Sequence, residues 1–132
     1  MTLNKHSAHP ASKAKERIQA LLRLLAIQRD GGCVMRHYPE AEACGGYRKD
    51  GELILQAEHL NDRKYSVSFA EMNNIVCLCK RHHFYFKKQN GAIYWKLIEQ
   101  HIGKERWAWL QKVMADRKPH PGMNWLLQEV YL

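Results

Sequence analysis

The chain has no apolar run of the roughly 20 residues that a bilayer-spanning helix needs, and its first residues hold no signal-like apolar core. Internal repeats and low-complexity tracts are missing as well. Acid is in short supply: 13 Asp and Glu face 21 Lys and Arg, which leaves a formal charge of +8 and a pI near 9.5. These absences argue against a membrane-embedded, exported or repeat architecture, so a soluble, cytoplasmic protein with no membrane partner is the expectation. The surplus of positive charge favours a polyanion through counterion release, and nucleic acid is the first candidate. A length of 132 residues suits one small domain with a modest core rather than two. Four cysteines would suffice for two disulfides, but without an export signal, and with Cys79 spaced for a shared metal with His82, ligation is favoured.

Residues 1–11 are polar, basic and aperiodic, and read as a disordered arm; residues 12–132 read as a single domain. Ser12 suits a helix N-cap, and Ile18, Leu21, Leu22 and Leu25 recur at helical spacing until Asp30-Gly31-Gly32 stops the helix. Asp50-Gly51, flanked by Tyr47-Arg48 and Glu52-Leu53-Ile54-Leu55, predicts a β-hairpin whose second strand leads into Glu58-His59. A polar loop over 61–67 follows, then a capping-box pattern at Ser68-Phe69-Ala70-Glu71 and a brief strand through Ile75, Val76, Cys77 and Leu78. A helix is predicted from His82 to Lys88, ending before Asn90-Gly91. Two more are expected in a helical extension over 92–132: Ala92 to His101, closed by Gly103, and Lys104 to Asp116, with Trp107, Leu110 and Met114 on one face. Pro119 and Pro121-Gly122 then break the chain before a last segment, Asn124 to Leu132.

A closed zinc site takes four Cys or His ligands in a tetrahedron, usually as two close pairs from separate turns. Cys79-x-x-His82 is one such pair, and Cys33 with Cys44 is its expected partner, with His37 able to replace either. Cys77 is assigned to the core. Adjacent helical residues project roughly 100° apart, so His82 can face zinc while His83 faces elsewhere. Lys80, Arg81, Lys87 and Lys88, interleaved with Phe84 and Tyr85, form a candidate basic rim for phosphate, while Phe84 and Phe86 are expected in the core and Trp95, Trp107, Trp109 and Trp125 are expected to pack helices.

A strand ending in acid-His, then a loop, then Asn74-Ile75-Val76-Cys77-Leu78-Cys79-Lys80-Arg81-His82-His83 at a helix start, resembles the HNH endonucleases of the ββα-metal superfamily. The resemblance covers residues 33–88 and is greatest to zinc-stapled phage and prophage members, among them junction-resolving recombination nucleases. It implies an α+β fold with a small ββα-metal core and a structural zinc, flanked by the N-terminal and C-terminal helices, and a metal-dependent hydrolysis of DNA phosphodiester bonds in a bacterial host cell. His59 would be the general base, neutral near pH 7 as an ordinary histidine is. Glu58 and His83 would hold a divalent cation such as Mg²⁺ or Mn²⁺, and Asn74, or Asn73 in an alternative register, would hold the His59 loop. Two residues depart from the family pattern: Glu58 stands where Asp or His is more usual, and Lys87 where some members carry a third metal-binding His. Branched DNA is the substrate the recombination members suggest, and a junction would call for two active sites and hence a dimer. The competing expectations are a zinc module that binds nucleic acid without cutting it and a toxin-type nuclease effector.

Overall fold

The computed structural model describes residues 10–62 and 69–116. The expected N-terminal arm up to residue 9, most of the polar loop with Ser68 of the capping box, and the last segment with Trp125 lie outside the described residues.

Helix α1 runs over Pro10–Asp30. It starts two residues before the expected Ser12 cap, because proline's fixed φ and missing N–H suit a first helical turn. It ends where Gly31 takes φ 72°, a left-handed conformation that glycine adopts without strain. The buried stripe is Ala14, Ile18, Leu22 and Ala26, one residue per turn, whereas Leu21 is 39% exposed. The four-residue repeat carried by alanines therefore outranks the leucine-rich face that spacing alone suggested.

Two short 3₁₀ turns, Val34–His37 and Pro39–Ala41, carry the chain to the Asp50-Gly51 turn. That turn forms as expected but holds only one bridge, Tyr47 to Leu53. Strand β1 (Leu55–His59) pairs antiparallel with β2 (Ile75–Cys79), placing His59 opposite Ile75 and Glu58 opposite Val76. Between them Glu71 caps the 3₁₀ turn Met72–Asn74, its carboxylate accepting from the Asn73 N–H.

Helix α2 spans residues 80–89. Its middle, His82–Phe86, is a π-helical turn, closed by the Lys87 N–H on the His82 carbonyl. Helices α3 (Gly91–Ile102) and α4 (Lys104–Ala115) follow, separated by Gly103 at φ 85°.

All five β2 residues are buried, so β2 is the axis of the molecule. One face, with Ile75 and Cys77, packs on Ile18, Leu22 and Ala26 of α1. Val76 and Leu78 face the other core, with Phe86, Tyr94, Leu97, Ile98 and Leu110. Cys77 is thus a core residue, while Cys79, where β2 passes into α2, joins the second core. Trp95, Trp107 and Trp109 pack against that core. Phe84 departs from its expected burial at 49% exposed, because it lies on the opposite side of α2 from Phe86.

Candidate metal centre and adjoining cleft

The ligating atoms of Cys33, Cys44, Cys79 and His82 all lie within 4.8 Å of one another. A zinc tetrahedron with Zn–S bonds of about 2.3 Å has edges of about 3.8 Å, so this Cys3His cluster has the donor chemistry and the compactness for a structural metal such as zinc. His37 is exposed and stands apart from it. Cys33 leads into the first 3₁₀ turn, Cys79 ends β2 and His82 starts the π turn. Cys44 sits in a loop pinned to the start of α2: the Arg81 N–H donates to the Gly45 carbonyl at 3.2 Å, and the Lys80 N–H to the Ile54 carbonyl at 3.1 Å. Gly46 allows that approach, since a Cβ there would stand 2.6 Å from the Lys80 Cβ.

The His82 ring is set for ligation through Nδ1. Its Nε2 lies 2.6 Å from the Ala41 carbonyl, which can only accept, so Nε2 carries a proton and Nδ1 is the nitrogen aimed at Cys79 Sγ at 3.0 Å and Cys33 Sγ at 3.5 Å. Hydrogen bonding between Cys33 and Cys79 holds the Cys79 thiol down at about 3 and, with burial, pushes Cys33 far up. Burial works against a charged His82, but hydrogen bonds to Cys79 and the Ala41 carbonyl outweigh it and raise its pKa. Three sulfurs this close cannot all be thiolates without a cation among them.

Beside this Cys3His cluster lies a cleft of about 660 Å³ lined by Glu58, His59, His83 and Lys87, with Gln19 and Arg23 of α1 on its wall. Glu58 and His59, neighbours on β1, are 5% and 6% exposed. The His59 ring stacks on Phe69 at 4.8 Å, and its Nε2 donates to the Phe69 carbonyl at 3.0 Å, which leaves Nδ1 as the nitrogen with a lone pair. His83 turns its Nδ1 to Gln56 Oε1 at 2.7 Å and its Nε2 to Glu58 Oε2 at 3.3 Å. With Nδ1–H donating to Gln56, a lone pair on Nε2 and a carboxylate oxygen face one another, an arrangement that calls for a cation. Two ligands about 2.1 Å from one cation and at right angles stand about 3.0 Å apart, close to this separation. The Lys87 ammonium, 3.5 Å from the same Glu58 oxygen, meets part of that demand from α2.

Asn74, fully buried, spans the backbone of Asn61: its Oδ1 accepts from the Asn61 N–H at 2.6 Å and its Nδ2 donates to the Asn61 carbonyl at 3.1 Å. The Leu60 N–H adds a bond to the Asn74 carbonyl at 2.8 Å. The segment immediately after His59 is therefore tied to the start of β2, whereas Asn73 is exposed.

Comparison with protein families, characterised proteins and solved structures gives no match. What the site can do rests on its own residues.

The expected basic rim divides. Lys87 enters the cleft, while Lys80 and Arg81 line a separate depression of about 540 Å³ with Gly45, Gly46 and Tyr85. Arg81 there pairs with Glu42 at 2.6 Å, and Lys88 is exposed. They do not form one surface, because successive helical residues diverge around α2.

Sequence reasoning missed Gln56, which orients His83, and two arginines that brace the Asn74 turn. Arg29 of α1 and Arg106 of α4 both donate to the carbonyls of Met72 and Ile75, and Arg106 also to Asn73 at 2.7 Å. Burial, reinforced by the neighbouring Arg29, lowers the Arg106 pKa to about 10. Asp30 answers this charge and accepts from the Cys77 N–H at 2.9 Å. An Asn preceded by exposed polar residues gives no signal for such a brace, since both arginines come from distant helices.

Proposed function

We propose that this chain is a zinc-stapled endonuclease of HNH type that hydrolyses DNA phosphodiester bonds with a divalent cation. The observation that carries the reading is Glu58 Oε2 and His83 Nε2 facing at 3.3 Å in the cleft that His59 also lines. Two antiparallel strands running into a helix, with acid-His ending the first and His83 near the start of the helix, support it further.

In this reading His59 Nδ1 takes the proton of the attacking water, because its Nε2 is committed to the Phe69 carbonyl. Stacking on Phe69 and the Asn74 bonds to Asn61 hold the imidazole in place, so little reorganisation is needed as the proton moves. Glu58 and His83 would hold Mg²⁺ or Mn²⁺, with Gln56 fixing the His83 ring. When bound, the cation would offset the charge developing on the phosphate and on the leaving 3′-oxygen, so that 5′-phosphate and 3′-hydroxyl ends result. Lys87 must release Glu58 for that cation, and its ammonium is then available to a phosphate oxygen. Cys33, Cys44, Cys79 and His82 would hold zinc as a staple between the first turns and α2, apart from the reaction. Branched DNA and a dimer bringing two such clefts to one junction belong to the same proposal.

A second reading is favoured by Lys87: with its ammonium 3.5 Å from Glu58, that carboxylate has a cationic partner without a metal, as in a zinc module that binds nucleic acid without cutting it. Supercoiled plasmid and a synthetic four-way junction, incubated with zinc-loaded protein and Mg²⁺, Mn²⁺ or Ni²⁺, separate the two. Cation-dependent strand scission is the expected result, with faster cutting of the junction if branches are the target. Binding without scission under every cation would overturn the nuclease in favour of the module.

A further inference from the structure

Helix α1 lies before the segment that carries the HNH-like motif, yet Gln19 and Arg23, one turn apart on it, form part of the cleft wall. Arg23 is anchored in an unusual way. Its Nε donates to the Leu55 carbonyl at 2.7 Å, at the first residue of β1. That bond fixes the plane of the guanidinium, and among the described residues neither terminal nitrogen of Arg23 has a hydrogen-bond partner. A planar fork with its base tied and its two prongs unspent matches the two oxygens of a phosphate, a geometry that a lysine cannot offer. The other arginines around the site are committed: Arg29 and Arg106 to backbone carbonyls, Arg36 to the carbonyls of Cys33 and Asp30, Arg81 to Glu42.

The position of the fork gives it a role. Leu55 is next to Gln56, which holds His83, and three residues before Glu58, so Arg23 is tied to the same strand that carries the candidate cation ligands. The cleft is thus bounded by α2, with His83 and Lys87, and by α1, with Gln19 and Arg23.

We propose that Arg23 is a phosphate-binding residue that grips the nucleic-acid backbone within this cleft, making α1 one of its jaws. The inference rests on the nucleic-acid part of the reading above, and not on cleavage. Gln19 adds a neutral hydrogen-bonding group one turn away, suited to a sugar or a second phosphate oxygen. Arg23 contributes no proton transfer: it binds the backbone of the nucleic acid that enters the cleft.

The test uses zinc-loaded full-length protein carrying His59→Ala, so that nothing is cut, and a fluorescein-labelled DNA duplex with no added divalent cation. Affinity is read by anisotropy over a series of salt concentrations. Arg23→Gln is expected to weaken binding by about tenfold and to make the slope of log affinity against log salt shallower by about 1, the signature of one lost phosphate contact. Arg23→Lys should restore the slope but not the full affinity, because the charge returns without the fork. Lys96→Gln, on exposed α3 surface outside this cleft, should change the affinity less than twofold. Equal affinity and slope for Arg23→Gln and its parent, an equal loss in Lys96→Gln, or no binding by the parent would each overturn the proposal. In the His59 background, Arg23→Gln should raise KM with little change in kcat. Arg23-dependent binding together with no cleavage by the protein that retains His59, under Mg²⁺, Mn²⁺ or Ni²⁺, would uphold the jaw and refute the nuclease.

Discussion

Replacing Asn74 with alanine tests whether one side chain holds the loop after His59. The Asn74 amide makes two hydrogen bonds to a single residue, to the Asn61 N–H at 2.6 Å and the Asn61 carbonyl at 3.1 Å. Both residues are buried, Asn74 fully and Asn61 to 2% exposure, so water cannot replace the lost partners without opening the loop. An orphaned buried donor or acceptor costs about 1–3 kcal/mol, and two of them, partly relieved by local opening, make a loss of about 2–4 kcal/mol. For a domain of this size that is on the order of a 10 °C drop in Tm. The assay is urea denaturation of zinc-saturated protein followed by circular dichroism, with amide hydrogen exchange at Leu60 and Asn61 read alongside. The exchange at those two amides should accelerate by far more than at the β2 amides, since the loop opens before the sheet does. A loss below about 0.5 kcal/mol, or a loss with unchanged relative exchange at Asn61, would show that the Asn74 side chain does not hold this loop.

Three further perturbations have definite expected outcomes. Arg106→Gln removes the bonds to Met72, Asn73 and Ile75 while Arg29 keeps Met72 and Ile75, so the single change should cost about 1–2 kcal/mol in equilibrium unfolding. Combined with Arg29→Gln it should cost more than the sum of the two single changes; strict additivity would show that the arginines do not share the turn. Burial opposes ionisation of Asp30, but hydrogen bonds from Arg29 and the Cys77 N–H prevail and lower its pKa. Its stabilising effect is therefore complete above the ordinary carboxylate value of about 3.9 and is lost as pH falls through the lower folded value. Asp30→Asn should flatten that acid limb of the stability–pH curve, and an unaltered limb would contradict the assignment. Lys87→Ala removes the ammonium 3.5 Å from Glu58, and titration calorimetry of zinc-loaded protein should find Mn²⁺ bound about tenfold more tightly; equal or weaker binding would show that Lys87 does not compete for the cation's position.

The helices were legible because their signals are local. Glycine at 31 and 103 and the spacing of Trp107, Leu110 and Met114 need no knowledge of the rest of the chain. The Cys3His cluster was legible through chemistry, since Cys79-x-x-His82 demanded a second pair and Cys33 and Cys44 were the candidates at hand. What spacing could not carry was orientation. Alanines 14 and 26 mark the buried face of α1 more faithfully than Leu21 does, because close packing on β2 favours small residues that hydropathy ranks low. Phe84 and Phe86 look alike in sequence and part company around the helix. The basic residues after Cys79 form a run in the chain but divide between two depressions in space. Gln19, Arg23, Arg29 and Arg106 were beyond reach for the same reason: each acts on a backbone or cleft more than 30 residues away, and nothing in its own neighbourhood marks it.

The most direct test of the nuclease reading is a single comparison between the parent protein and His59→Ala, both purified with bound zinc and assayed on supercoiled plasmid with Mn²⁺. Zinc content by elemental analysis and the unfolding midpoint are measured on the same samples. The parent is expected to nick the plasmid, the variant to lose cleavage by about 100-fold or more, and zinc stoichiometry to stay the same in both. Cleavage by the variant at the parent's rate, with zinc and fold intact, would show that His59 is not the general base.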